Sequence, residues 1–292
     1  DIIQRIHYAR SDHKGHHKPN ELIHLRKEAL EEARRFKEVA HRIEEAILDN
    51  SLELNFQPIY SFEKNRITSL EVLSRLKDGK HNYINPEYFI HVAEINHTII
   101  QLSRQMFEKT CRFAVDNNIF DRGINDMNIN ISPIQCQDKH LVQDLKKIAA
   151  KYGIPFERFH FEITESRLTD EKAVRETLTK LKENGAKIAL DDFGTGYSNI
   201  ASIMLMPIDF VKIDKSLLWS YASGDNEFLN ELMPMIRGEG KKIIAEGIET
   251  EEHIEILRRM GGDFLQGYYY SKPLNEENFI RFLDARNNGA EA

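Results

Sequence analysis

The chain has 292 residues, 41% of them hydrophobic and 30% charged, with 47 Asp+Glu against 40 Lys+Arg and a formal net charge of −7. These proportions describe a globular chain with enough core for one large domain or two small ones, and they exclude a disordered polyampholyte. The acidic balance argues against general binding to duplex nucleic acid or to an anionic membrane surface. Two cysteines, Cys111 and Cys136, cannot build a disulfide framework. No Cys/His spacing resembles a zinc site, and no apolar run reaches membrane-spanning length. A cytoplasmic setting is therefore expected. Because the chain starts at Asp1 rather than Met, it is expected to be cut from a larger, membrane-attached or soluble protein.

Residues 1–19 are polar, with His7, His13, His16 and His17 ahead of a Lys18-Pro19 break, and read as a linker or the tail of an upstream domain rather than a metal site. Asn20 is an N-cap candidate with Glu21 in the first turn. Beyond it Leu22, Leu25, Ala29, Ala33, Phe36, Ala40, Ile43 and Ile47 recur at three- and four-residue steps, which predicts a connector helix over 20–50. From Ser51 strands are predicted at 52–59, 66–73, 125–131, 158–163, 186–190, 208–213, 241–245 and 263–268. Helical patterns lie at 86–117, 139–151, 170–184, 196–205, 225–238, 250–260 and 275–285. Eight strands alternating mainly with helices predict an α/β fold, a (β/α)8 TIM-like barrel over 51–285 with a tail at 286–292. The link at 61–65 is too short for a parallel crossover, so the first strand should run antiparallel and the barrel is a modified one.

Functional groups of such barrels gather at the C-terminal ends of the strands. Those ends read Glu71, Asn130, Glu162, Asp191-Asp192, Asp214 and Glu246. Strand parity puts Met127, Ile129 and Ile131 on one face and Asn128 and Asn130 on the other. In the next strand Phe159, Phe161 and Ile163 oppose His160 and Glu162. The apolar faces suit packing against helices, which leaves Asn130 and Glu162 for the barrel mouth. Crowded carboxylates raise one another's pKa unless cations neutralise them, and oxygen-only ligands suit Mg²⁺, Mn²⁺ or Ca²⁺. Adjacent aspartates can bridge two such ions, the arrangement that activates water for attack on phosphorus. Lys212 shares a strand face with Asp214 and is placed to orient that water or meet a phosphoryl oxygen. These residues point to a metal-dependent phosphoester hydrolase. The glycines of Gly194-Thr195-Gly196 suit a tight, mobile loop beside the aspartate pair. Tyr268, Tyr269 and Tyr270 suit either base stacking or rim packing.

The ordered motifs carry a resemblance as well. They are Gln57-Pro58-Ile59, Glu71-Val72-Leu73-Ser74-Arg75, Asn130-Ile131-Ser132, Glu162-Ile163-Thr164-Glu165, Asp191-Asp192-Phe193-Gly194-Thr195-Gly196-Tyr197-Ser198, Lys212-Ile213-Asp214, Glu246-Gly247-Ile248-Glu249-Thr250 and Gln266-Gly267-Tyr268. From about residue 52 to 282 the chain resembles the EAL-domain family, phosphodiesterases of the bacterial messenger cyclic di-GMP. The resemblance implies a barrel with an antiparallel first strand and hydrolysis of cyclic di-GMP to linear pGpG; the alternative is a non-catalytic receptor for the same messenger. It implies two divalent cations, Mg²⁺ or Mn²⁺ with Ca²⁺ as an inhibitory substitute, held by Glu71, Asn130, Glu162, Asp191, Asp192 and Glu246. Lys212, Glu246 and Gln266 are then expected at the reacting water, Glu165 as the brace of the loop after the aspartates, and Gln57, Arg75, Asp214 and Glu249 along the substrate groove. A homodimer and an upstream sensory or diguanylate-cyclase-like domain complete the expectation. Departures from the family pattern are few: the naming triplet is Glu71-Val72-Leu73, Ser74 replaces a common Leu, and the stretch after Arg75 is short.

Overall fold

A computed structural model describes residues 27–164, 172–194 and 206–287. The predicted linker, the cap at Asn20, Glu165, the loop beyond Gly194, the helix expected at 196–205 and the end of the C-terminal tail lie outside these residues. The described chain forms two compact units, one of residues 27–51 and 76–99, the other of 52–75 and the residues from 100 onward.

In the first unit the connector pattern folds as helix α1 (Lys27–Leu48), which buries Val39, Ile43 and Ala46. Helix α2 (Pro86–Ile95) begins where Asn85 accepts from the Tyr88 N–H and Pro86 presets the first helical φ. The two helices meet through polar contacts around one ring. Tyr88 Oη donates to Glu32 at 2.8 Å, and the Arg35 guanidinium lies 4.4 Å above the same ring. The pattern at 86–117 predicts one helix, but it divides here: His97 adopts a left-handed φ of 56° and a new helix, α3 (Ile99–Asp116), starts two residues later. An α-helix of L-residues cannot pass through that conformation.

The second unit carries the strands β1 (Glu53–Ser61), β2 (Arg66–Arg75), β3 (Asp126–Asn130), β4 (Phe159–Thr164), β5 (Lys187–Phe193), β6 (Phe210–Ile213), β7 (Lys242–Ala245), β8 (Phe264–Leu265) and the short β9 (Leu274–Asn275). Strands β2 to β8 pair in order and in parallel. Strand β1 runs antiparallel to both β2 and β8 and closes the barrel, as the short link at 61–65 predicted. All eight predicted strands are present. Between them lie helices α4 (Pro133–Cys136), α5 (Leu141–Lys151), α6 (Lys172–Glu183), α7 (Lys215–Ala222), α8 (Leu229–Gly238), α9 (Glu251–Met260) and α10 (Glu276–Asn287). Helix α7 follows no predicted pattern: its apolar residues run consecutively at Leu217, Leu218 and Trp219, and only Leu218 is buried.

The outward face of β4 does meet a helix. Phe107 of α3 stacks near Phe159 and Phe161, with ring centroids 4.7 and 6.2 Å away. Inside the barrel, the base is plugged by Ile59, Ala189, Phe210 and Ile244, with Phe264 against them. The next inward residues toward the mouth are Gln57, Asp191, Lys212, Glu246 and Gln266, two positions along from each member of the plug. On these five strands one step of two residues thus turns an apolar base into a polar, largely charged rim.

Candidate metal centre

Register brings the strand ends level. Gln57 pairs with Glu71, Glu71 with Asn128, Asn130 with Glu162 and Thr164 with Asp191. Lys212 of β6 lies at the centre, with its side chain 1% exposed. Its Nζ is 2.8 Å from Glu246 Oε1, 2.9 Å from Glu162 Oε2, 2.9 Å from Asp191 Oδ1 and 3.4 Å from Glu71 Oε2. An ammonium has three N–H donors, too few for four carboxylates. Asp191 Oδ1 accordingly sits within ion-pair distance while accepting no well-directed hydrogen bond.

Neutral amides hold the acids in place. Asn130 Nδ2 donates to Glu71 Oε1 at 2.9 Å, and Gln266 Nε2 donates to Glu71 Oε2 at 2.6 Å and to Gln57 Oε1 at 3.1 Å. Gln57 Nε2 in turn reaches the Ser271 carbonyl at 3.4 Å, an anchor that no sequence motif signalled.

The electrostatics follow from burial and crowding. Burial pushes Glu162 well above the usual carboxylate range, with Glu71 and Asp191 adding to it and Lys212 opposing. Burial also carries Glu246 up to about 8 and Asp192 up to about 6, each with Asp191 as an added cause. Glu71 moves the other way. Its burial is outweighed by the Lys212 charge and by the hydrogen bonds from Gln266 and Asn130. Burial by itself would lower Lys212, but four surrounding acids hold it well above the ordinary lysine value.

Among the described residues, two groups of carboxylates approach one another closely enough to hold an ion: Glu71, Glu162 and Asp191, and Asp191, Asp192 and Glu246. Asp191 belongs to both. The donor set is oxygen only, and among the described residues Glu162 Oε1 and Asp191 Oδ1 are buried without a hydrogen-bond partner, so these residues fit hard divalent cations. Asp192 reaches its position through a left-handed φ of 54° at a bulge where the β5–β6 register slips between Leu190 and Phe193. Such strain in a non-glycine residue persists where surrounding structure fixes it, and it gathers at functional sites.

The other expected groove residues make local contacts. Asp214 caps α7 by accepting from the Ser216 N–H at 2.8 Å. Arg75 Nη1 donates to the Ser74 carbonyl at 2.9 Å, at the end of β2 where Arg75 pairs with Glu53. Glu249 is exposed, and its backbone N–H meets His253 Nδ1 at 3.4 Å. Of the three tyrosines, Tyr270 packs on Tyr60 with ring centroids 4.8 Å apart, while Tyr268 and Tyr269 are 57% and 45% exposed. Among the described residues, no helix is long and apolar enough to cross a membrane.

Fold and site together define a TIM-like barrel with a reversed first strand and a carboxylate cluster at its mouth suited to divalent cations. Residues 40–273 match the family model of the EAL domain, and the chain belongs to the EAL-domain family. Signaling protein YkoW of Bacillus subtilis is 32% identical to it over 245 residues, 82% of this chain and 30% of that protein. Cyclic di-GMP phosphodiesterase NbdA of Pseudomonas aeruginosa is 28% identical over 251 residues, 85% of this chain and 32% of that protein. Among solved structures, PaMucR phosphodiesterase in complex with c-di-GMP matches with a TM-score of 0.74 at 28% identity, covering 82% of this chain and 99% of that one. The chain spans about a third of the length of these two curated relatives.

Proposed function

We propose that this chain hydrolyses one phosphodiester bond of cyclic di-GMP to give linear pGpG. The observation that carries the reading is the pair of carboxylate groups sharing Asp191 around a buried Lys212. Glu71, Asn130, Glu162, Asp191, Asp192 and Glu246 would hold two divalent cations, Mg²⁺ or Mn²⁺, with Ca²⁺ as an inhibitory substitute. Such ions, when bound, supply an activated water and neutralise charge on the phosphodiester.

The remaining roles belong to the chain's own side chains. Lys212 keeps mutually repelling acids within ligand distance of one another, and once cations neutralise those acids its N–H donors would turn toward the reacting water or a phosphoryl oxygen. Gln266 and Asn130 fix both oxygens of Glu71, and Gln266 couples that carboxylate to Gln57. Arg75 supplies a guanidinium suited to phosphate at the end of β2. Asp214 and Glu249 would line the groove; Glu165, expected to brace the loop after the aspartates, lies outside the described residues. The same reading places the chain in the cytoplasm, as a homodimer fed by an upstream sensory or diguanylate-cyclase-like domain.

Incubation of the protein with cyclic di-GMP and Mg²⁺ or Mn²⁺, followed by product identification, tests it. The expected product is pGpG. Binding of intact ligand with no turnover in either metal would replace the enzyme by a receptor, and cleavage of phosphomonoesters alone would replace the substrate.

A further inference from the structure

Asn128 is 1% exposed, yet among the described residues neither its Oδ1 nor its Nδ2 meets a hydrogen-bonding group. It lies on the inward face of β3 with Asn130, in register with Glu71 on one side and His160 on the other. Glu162, opposite Asn130, is one inward step further along β4 and is therefore the diagonal neighbour of Asn128. Lys212 takes Glu162 Oε2 at 2.9 Å, while Oε1, on a residue that is 0% exposed, is buried with no partner among the described residues.

Burying an amide without a hydrogen bond costs roughly 2–7 kcal/mol, and an ionised carboxylate costs more. Here an unused double donor and an unused acceptor stand on adjacent strands. No hydrogen bond joins them. Buried polar groups without a protein partner are typically satisfied by ordered water, which makes about three hydrogen bonds in a polar interior. The opposite side of the interior is closed by the apolar Ile59, Ala189, Phe210 and Ile244. Polar inward residues at this depth are instead Ser69, Asn128 and His160, on β2, β3 and β4, all buried.

We propose that ordered water joins the two groups. It accepts from Asn128 Nδ2 and donates to Glu162 Oε1, a further water O–H serves Asn128 Oδ1, and Asn128 is thereby a positioning residue for the Glu162 carboxylate. The bridge stands on the orphaned atoms alone. Its consequence for cation binding rests on the reading of the cluster given above, since groups that orient metal-binding side chains typically change affinity by about 10–100-fold.

Two measurements decide it. A crystal structure showing ordered solvent should reveal water within hydrogen-bond distance of both Asn128 Nδ2 and Glu162 Oε1; a dry gap, or an amide bonded directly to protein, overturns the bridge. Calorimetric titration with Mn²⁺ should then show about tenfold weaker binding for Asn128→Leu, which matches the volume and removes both polar atoms. Asn128→Ser, which leaves room for an extra water, should stay near wild type. A purely structural role would lower the melting temperature of the Leu variant and leave Mn²⁺ affinity unchanged, which overturns the positioning role. If Asn128→Leu does not fold, the same titration of Asn128→Ser with its solvent structure decides, because loss of affinity with the water retained contradicts the proposal. Failure of the wild-type protein to bind Mn²⁺ would remove the cation reading, while the crystal structure would still judge the bridge.

Discussion

Lys212 Nζ lies 2.9 Å from Glu162 Oε2 although the two residues stand on β6 and β4, so the ion pair crosses the barrel interior past the intervening β5. The same ammonium is the counter-charge for Glu71, Asp191 and Glu246. Replacing it with an apolar side chain leaves four acids facing one another in a closed space. Removing one partner of a buried ion pair costs about 3–5 kcal/mol. In chelator, Lys212→Met is therefore expected to melt about 10 °C below wild type. Adding Mn²⁺ should recover more of the melting temperature in the variant than in wild type, because a divalent ion supplies the missing charge. Equal melting of the two chelated proteins would contradict the central role of Lys212.

Asp191 is the residue common to both carboxylate groups, and Glu71 anchors one of them. Asp191→Ala and Glu71→Ala are each expected to lower cyclic di-GMP turnover by orders of magnitude with an unchanged circular dichroism spectrum. Initial rates at saturating Mn²⁺ check this. Substantial residual activity in both variants would contradict the assigned centre.

Much of this site was legible because period-two alternation fixes which side of a strand a residue faces. Glu71, Glu162, Asp191, Lys212 and Glu246 could be aligned by parity and by their position at the ends of apolar runs. The antiparallel first strand followed from five residues between two runs. What stayed hidden depends on backbone torsion and on third partners. The left-handed φ of Asp192 has only a weak residue-type signature, since aspartate visits that region far less readily than glycine. The break at His97 was masked by apolar residues that continue the helical period on both sides. Helix α7 was missed because a single buried residue generates no periodicity. Asn128 shared the face of Asn130 in the sequence, but its lack of a partner among the described residues is a property of the folded interior.

The raised carboxyls make stability without divalent cations depend on pH in a definite direction. Asp192 rises to about 6 from 3.8 and Glu246 to about 8 from 4.5. A group whose folded pKa exceeds its unfolded value contributes stability below the unfolded pKa and loses it as pH rises through the folded one. In chelator the melting temperature should therefore fall between about pH 5 and pH 8.5, first through Asp192 and then through Glu246. Saturating Mg²⁺ should reverse the trend, because cation binding favours the ionised carboxylates. Scanning calorimetry across that range, with and without Mg²⁺, checks both signs. A chelated protein that becomes more stable toward pH 8.5 would contradict the arrangement.

Gly267 shows how closely the backbone approaches beside the centre. A Cβ at this position would sit 2.2 Å from both the N and the O of Ile248, and neither backbone atom can swing aside. The same strip is laced together, with the Ile248 N–H donating to the Gln266 carbonyl at 3.1 Å and the Tyr269 N–H to the Ile248 carbonyl at 2.8 Å. Gln266 depends on that lacing to reach Glu71 and Gln57. Overpacking a closed site costs about 1–3 kcal/mol, and here the strain falls on the residue adjacent to Gln266. Gly267→Ala should lower the melting temperature by several degrees and reduce turnover, both through displacement of Gln266. Gly79→Ala, where an added Cβ meets nothing within 4 Å, should leave both unchanged. Thermal melts and initial rates of the two variants provide the check. Wild-type behaviour in Gly267→Ala would show that the close approach to Ile248 does not hold Gln266 in place.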